Sequence, residues 1–251
     1  MSYVLFGQMS DPNIAAVREY FDVFVDQEAN LTWDMETDVL SVDGEPLEMT
    51  AFFGRANVFV ENTHQKYSNW HLFVNYLACH PDVKRYNKGY NRETPTKARN
   101  LYLAKKVGLP IPKTIIGRGP MDGDCVVKPL TGGAHCAAGN EAMYTAIVQE
   151  RIRGMNRRLF LIGNQHAGFK LHTTMLDYRD DPNTRLEVEH FDDDTVMRVR
   201  TVAERMGLTY CAADFMDDTF LEINSGPMFA AFDRIVEGAI GRAIRDELAP
   251  P

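Results

Sequence analysis

The segment Asp214-Phe215-Met216-Asp217-Asp218-Thr219-Phe220-Leu221-Glu222-Ile223-Asn224 sets carboxylates and an amide at spacings that one hairpin can bring together. Residues two apart on a strand face the same way. Glu222 and Asn224 therefore share a face, with Leu221 and Ile223 packing inward, and antiparallel pairing across the turn at Asp217-Asp218 brings Asp214 beside both. Two carboxylates and an amide form an all-oxygen donor set, which suits magnesium, an ion that takes few protein ligands and keeps water or phosphate oxygens. An edge hairpin with a solvated polar face has the same pattern, so this segment alone leaves both readings open.

Three further segments carry charge in places where it could work. Val126-Val127-Lys128-Pro129-Leu130-Thr131-Gly132-Gly133 ends an apolar strand on a lysine and follows it with glycines, so an ammonium and backbone N–H groups can meet phosphate oxygens. It lacks the Gly-Lys-Ser/Thr ending of the common phosphate loop, and an exposed lysine before a turn reads the same way. Ile147-Val148-Gln149-Glu150-Arg151-Ile152 offers a strand edge to an adenine, or is an ordinary amphipathic strand. Arg158, and Lys170 on the next strand, could neutralise a triphosphate or be surface cations.

The elements that must hold these residues are readable in outline. Tyr3–Phe6 reads as a strand and Ile14–Phe21 as a helix after the turn at Asp11-Pro12-Asn13. Asp43-Gly44 reads as a hairpin turn between Val39–Val42 and Leu47–Met49, and Val58–Val60 as a strand. Trp70–Ala78 has helical spacing, with Trp70, Phe73, Val74 and Leu77 on one face. Lys84–Thr94 reads as a linker. Thr96 can cap a helix through Leu103–Val107 that stops at Gly108, and Ile111–Ile116 is extended. Strands are expected at Asp124–Lys128, Thr145–Arg151, Arg158–Ile162, Ala167–Thr173, Thr209–Phe215 and Thr219–Ile223, with a Gly- and Ala-rich loop at Leu130–Gly139. Asp193–Met206 reads as a helix with Val196, Val199, Val202 and Ala203 inward, and Phe232–Leu248 as one terminal helix. Strands and helices mix without strict alternation, so the class is α+β or α/β in more than one lobe.

Composition narrows the partners. The 251 residues are 45% hydrophobic, enough for a real core, and the net charge of −8 argues against a nucleic-acid binder. No apolar run is long enough to span a bilayer, and Met1–Gln8 lacks the pattern of a signal peptide, so a cytoplasmic protein is expected. Cys79, Cys125, Cys136 and Cys211 include no Cys-x-x-Cys pair and read as reduced, mostly buried thiols.

Taken together and in order, Lys97, Lys128-Pro129, Gln149-Glu150, Arg158, Asp214 and Glu222-Ile223-Asn224 resemble the ATP-grasp superfamily across residues 93–230, and Lys105–Pro112 resembles the segment that leads into its Lys-Pro strand. Within it, the chain looks most like the glutathione-synthetase-like carboxylate–amine ligases, whose relatives include ribosomal-protein glutamate ligases and the macrocyclases of small ribosomal peptides. The resemblance implies an ATP-grasp fold of two lobes clasping ATP: a small N-terminal α/β lobe over residues 1–92, then an ATP-grasp domain over 93–251, divided into 93–146 and 147–251. It implies ATP and Mg²⁺ as cofactors, with Mn²⁺ able to substitute. Lys97, Lys128, Gly132, Gly133, Gln149, Glu150 and Ile152 would bind the nucleotide, Arg158 and Lys170 would stabilise the phosphoryl group in flight, and Asp214, Glu222 and Asn224 would hold the metal.

The reaction so implied is activation of a carboxylate as an acyl phosphate, followed by attack of an amine or hydroxyl. The substrate is a small acid or amino acid, or alternatively a peptide or protein; a non-catalytic nucleotide-binding scaffold is the reading from another class. A homodimer is compatible with the resemblance. Ser225–Asp233 and the N-terminal lobe are expected to line the acceptor pocket, with Met228, Phe229 and Phe232 as its apolar wall or else as core. Two departures stand out: Gly154-Met155-Asn156 has no acid where the family holds the ribose, and Ser225-Gly226-Pro227-Met228-Phe229 replaces the Gly-Gln-Trp-like run of the peptide macrocyclases.

Overall fold

The computed structural model describes residues 2–56, 64–88, 96–130, 136–176 and 178–249. Gly132, Gly133 and the strand expected at Val58–Val60 lie outside them. Two compact units form, one from Met1–Tyr86 with Met228–Pro251 and the other from Asn87–Pro227.

The first unit is built on β1 (Tyr3–Gly7), buried along its whole length and followed by α1 (Pro12–Val17). A short strand buried on both faces is what the centre of a parallel sheet requires. Next come β2 (Val23–Asp26), the meander β3 (Leu31–Asp34), β4 (Val39–Val42) and β5 (Glu45–Pro46), then β6 (Ala51–Gly54), α2 (His64–Cys79) and β7 (Lys84–Arg85). The sheet order is β2-β1-β6-β7, all parallel. Lys84 and Arg85, expected in a linker, thus form its edge. The β4–β5 turn has positive φ at both Asp43 and Gly44, as a two-residue hairpin of this twist demands. On α2, Trp70, Phe73 and Leu77 are buried against Phe6, but Val74 is exposed.

The second unit opens with α3 (Thr96–Lys106), closed at Gly108 with φ +83°. A smaller sheet follows, made of β8 (Thr114–Gly117), β9 (Cys125–Lys128), β10 (Ala137–Ala138) and β11 (Ala146–Glu150) in the order β10-β9-β11-β8, antiparallel throughout. A larger antiparallel sheet contains β12 (Asn156–Ile162), β13 (Gln165–His172), β14 (Arg185–Glu189), β15 (Tyr210–Met216) and β16 (Thr219–Asn224), with α4 (Asp193–Arg205) inserted before β15. Its order is β14-β13-β12-β15-β16. Leu159, Leu161, Cys211, Ala213, Phe215 and Ile223 form one face of this sheet and pack with Val196, Val199, Val202 and Ala203 of α4 and Leu101 and Ala104 of α3. By strand alternation the neighbours Arg158 and Asp214 fall on the other face.

The terminal segment is two helices, α5 (Ala230–Ile235) and α6 (Ala239–Glu247), where periodicity predicted one. Glu237 and Gly238 break it with φ of 50° and 82°. Both helices belong to the first unit, although the expected span 93–251 included them in the second domain. The reason is local: the side-chain oxygen of Asn13 accepts the N–H groups of Phe229 (2.6 Å) and Ala230 (3.0 Å), and the Arg245 side chain donates to the Tyr20 carbonyl. Phe229 and Phe232 are buried, which makes them core and leaves only Met228 of the expected apolar wall exposed. Two of the four cysteines, Cys125 and Cys211, are buried, whereas Cys79 is exposed. Among the described residues no helix is long and apolar enough to cross a membrane.

Because Phe229 is fully buried, Phe229→Ala should lower unfolding stability by about 3–5 kcal/mol. A denaturant melt with a loss below about 1 kcal/mol would contradict the placement.

Candidate active site

The site grows from the pairing of β12 with β15. Arg158 lies in register with Asp214, and its guanidinium makes a bidentate contact, Nε to Oδ1 at 2.6 Å and Nη2 to Oδ2 at 2.9 Å. Such forked, charge-assisted bonds fix direction as well as distance. Burial pulls the Arg158 guanidinium down, but Asp214, Tyr178 and Glu222 outweigh it and hold the group above its ordinary value, fully charged. Burial pushes the Asp214 carboxyl up, Glu222 adds to this, and Arg158 and Lys128 pull against it.

Glu222 reaches this face only because the hairpin is irregular. Phe215 pairs with Phe220, while the neighbouring Asp214 pairs with Glu222, so Leu221 is an extra residue in β16. In a regular ladder Asp214 would face Leu221 and Glu222 would pair with Ala213 on the core face. One added residue moves everything beyond it to the opposite face. The bulge keeps Phe215 and Phe220 in the core and turns Glu222 and Asn224 toward Asp214; Leu221, expected to pack inward, is half-exposed. The Asn224 amide nitrogen donates to Asp214 Oδ2 (2.9 Å) and Glu222 Oε1 (3.4 Å). From α3, Lys97 Nζ lies 3.8 Å from Glu222 Oε2 with its side chain 14% exposed.

As a metal site the donor set is all oxygen. Asp214 spends both oxygens on Arg158 and Asn224, whereas the contacts of Glu222, at 3.4 and 3.8 Å, are loose. Among the described residues there is no group of three or more His, Cys, Asp or Glu that could hold a metal ion. Two carboxylates and an amide are few ligands, and their hard oxygens would suit an ion that completes its shell with phosphate or water, as magnesium does.

No family model and no curated protein matches the chain. Its backbone does match solved structures. ATP-grasp ligase PsnB, complexed with a phosphomimetic variant of minimal precursor, Mg and ADP, superposes with a TM-score of 0.75 at 21% identity, covering 99% of this chain and 97% of that one. Macrocyclase MdnC bound with precursor peptide MdnA, from Microcystis aeruginosa MRC, gives 0.68 at 15% identity over 99% and 100%. The VanG D-Ala:D-Ser ligase from Enterococcus faecalis gives 0.59 at 12% over 99% and 98%. The chain has the ATP-grasp fold.

On that fold the remaining predicted residues separate. Lys128, Ile147 and Gln149 share one face of the smaller sheet, while Cys125, Val127 and Val148 line the other with Met121 and Ala142. Gln149 is buried and its Nε2 donates to Thr114 Oγ1 at 3.1 Å, so its side chain is used within the sheet. Glu150 falls on the face opposite Lys128 and is exposed, which leaves its main chain as the part that could border a base. Ile152 is half-buried just beyond the strand.

Lys170 is the clear departure. It pairs in register with Arg157, not Arg158, and so lies on the far face, 3.7 Å from Glu189. The expectation that Lys170 joins Arg158 counted strands but not faces.

Two features were missed in the sequence. Tyr178 lies under Arg158, with the guanidinium 5.1 Å from the ring centre. Next to Arg158 on the same face, Asn156 pairs with Leu171 at the edge of a cavity of about 410 Å³ that also takes in Thr173, Thr174, Asp181 and Asn183. The Asp181 carboxyl is held below the usual range by the Thr174 N–H, the Thr173 hydroxyl and the Asn183 N–H. The available signal was Asp181-Pro182-Asn183, an Asx-turn sequence.

Arg158 and Asp214 should behave as a coupled pair. Arg158→Leu leaves a buried carboxylate without its main counter-charge and should cost on the order of 3 kcal/mol, and the double variant Arg158→Leu/Asp214→Leu should cost less. Equal losses in thermal melts would show that the two do not depend on each other.

Proposed function

We propose that the chain is an ATP- and magnesium-dependent ligase that activates a carboxylate as an acyl phosphate and delivers it to an amine or hydroxyl, with a peptide as substrate. The observation that carries this is the cluster itself: Arg158, Lys97 and the nearby Lys128 set against Asp214 and Glu222, three cations to two carboxylates, with Asn224 between the acids. An excess of fixed positive charge beside an all-oxygen donor set is what a triphosphate and its metal need.

Phosphoryl transfer asks little covalent work of a protein, so catalysis is positioning and charge neutralisation. In this reading Lys128 meets phosphate oxygens from the smaller sheet and Arg158 from the larger. The salt bridge to Asp214 keeps the Arg158 fork oriented before substrate arrives. Asp214, Glu222 and Asn224 would hold magnesium, which when bound neutralises charge developing on the phosphates. The acyl phosphate would form beside Arg158, where the cavity with Asn156 and Thr174 can receive the acceptor.

The fold comparisons support a peptide over a free small acid. PsnB and MdnC, whose structures hold precursor peptides, superpose more closely than VanG. Either substrate would use the same phosphate and metal cluster, so the two readings separate on product mass. Loss of water within one peptide marks an internal cross-link, and a gain of substrate less water marks ligation. Mild alkali then cleaves an ester and spares an amide. Dependence on ATP would fit a cytoplasmic site of action.

Lys128→Ala should reduce ADP release by a factor on the order of one hundred, and Lys170→Ala, on the far face, should be nearly silent. Equal losses in a coupled ADP assay would refute the face assignment. Glu222→Ala should abolish magnesium-dependent turnover with an unchanged melting temperature; wild-type turnover in that variant would remove Glu222 from the metal site.

A further inference from the structure

The turn of the β15–β16 hairpin does more than reverse the chain. Asp217 has φ +48°, a left-handed conformation that aspartate tolerates in turns better than most residues. In that conformation its main chain and its carboxylate all turn onto one neighbouring segment. The Asp217 N–H donates to the Met155 carbonyl at 2.8 Å, Asp217 Oδ1 accepts the Met155 N–H at 2.9 Å, and the Asp217 carbonyl accepts Arg157 Nη1 at 3.0 Å. A Cβ on Gly154 would overlap the Asp217 carboxylate, so the glycine is what allows this approach. Arg157 is itself held by Asp218 (2.7 Å) and Glu189 (2.8 Å) and lies 4.3 Å over the Phe191 ring.

The segment so gripped is the link between the two sheets. The smaller sheet ends at Glu150 on β11 and the larger begins at Asn156 on β12. The first half of the link is fastened to the smaller sheet, since Arg151 N–H donates to the Asp124 carbonyl at 2.9 Å and Arg153 pairs with the Asp124 carboxylate at 2.7 Å. The second half is fastened to the hairpin by Asp217. That hairpin carries Asp214 three residues upstream, and the bulge between Asp214 and Phe215 lies inside the same short stretch.

We infer that Asp217, seated on Gly154, is a positioning residue that couples the base end of the nucleotide site to its metal end. This rests on the proposed function, in which Gln149 to Ile152 border the base and Asp214, Glu222 and Asn224 hold the ion. A nucleotide that fixes the link also fixes the tilt of the hairpin tip, and the metal ligands are then presented ready for the ion. By reciprocity, magnesium must tighten nucleotide binding by the same factor. Without the latch each half of the site still exists, but the two bind more independently.

The test is calorimetry of ADP binding to the full chain, with and without magnesium. Wild type should bind ADP more tightly with magnesium. In Asp217→Ala and in Gly154→Ala that enhancement should fall by about tenfold, a usual size for coupling between sites, with ADP affinity in the absence of magnesium little changed. Asp217→Asn keeps the Oδ1 acceptor and both main-chain bonds and should restore the wild-type enhancement. A destabilised fold would lower both affinities together, and then the comparison of Asp217→Asn with Gly154→Ala decides. If Gly154→Ala and Asp217→Ala keep the full enhancement, or if Asp217→Asn loses it as they do, the latch is wrong. If wild type binds no ADP at all, the ligase reading itself fails and the inference falls with it.

Discussion

A strand has two faces, and the large sheet of this protein must serve an apolar core with one and a charged site with the other. The buried pairing of Arg158 with Asp214 is where that constraint is met. Each is flanked on its own strand by residues of the opposite face, Leu159 beside Arg158 and Ala213 beside Asp214, and those neighbours lie in the core under α3 and α4. The stronger the core, the more firmly the two charged side chains are held on the other side. The pair is self-consistent because each group supplies the counter-charge that lets the other be buried.

The bulge at Leu221 extends the same logic to the rest of the site. A regular β16 could keep Phe220 in the core or present Glu222 beside Asp214, but not both. One additional residue satisfies both demands, and the position of the irregularity, between the core-forming tip and the charged end, follows from them. Asp217 at the tip then ties the irregular hairpin to the link between sheets, so the strain of an unusual φ is located where it fixes orientation.

Much of this was legible in the residues. The antiparallel strands of the second unit, the inward valines of α4 and the shared face of Glu222 and Asn224 follow from period and turn signals, whereas their meeting with Asp214 depends on the bulge, which period does not show. Other parts were not. The face of Lys170 is not legible because it depends on register, which a single sequence does not state; Arg157 and Arg158 are adjacent, and only pairing tells which of them Lys170 opposes. The terminal helix was read as unbroken because Glu237 disguises a left-handed turn that Gly238 completes. Its return to the N-terminal unit depends on Asn13 accepting two N–H groups from more than two hundred residues away, which no local pattern encodes. The parallel strand Ala51–Gly54 was missed because so short a run lacks periodicity of its own and is defined by its partners in the sheet.

The central claim is that Asp214, Glu222 and Asn224 form the metal end of a nucleotide site whose phosphates lie between Arg158 and Lys128. Crystals of the chain grown with ADP and Mn²⁺, measured at the manganese absorption edge, test it most directly. The account predicts an anomalous peak within coordination distance of Glu222 and Asp214 and of the ADP phosphates, on the Arg158 face of the large sheet. A peak on the Lys170 and Glu189 face, or ADP bound away from Lys128, would contradict it.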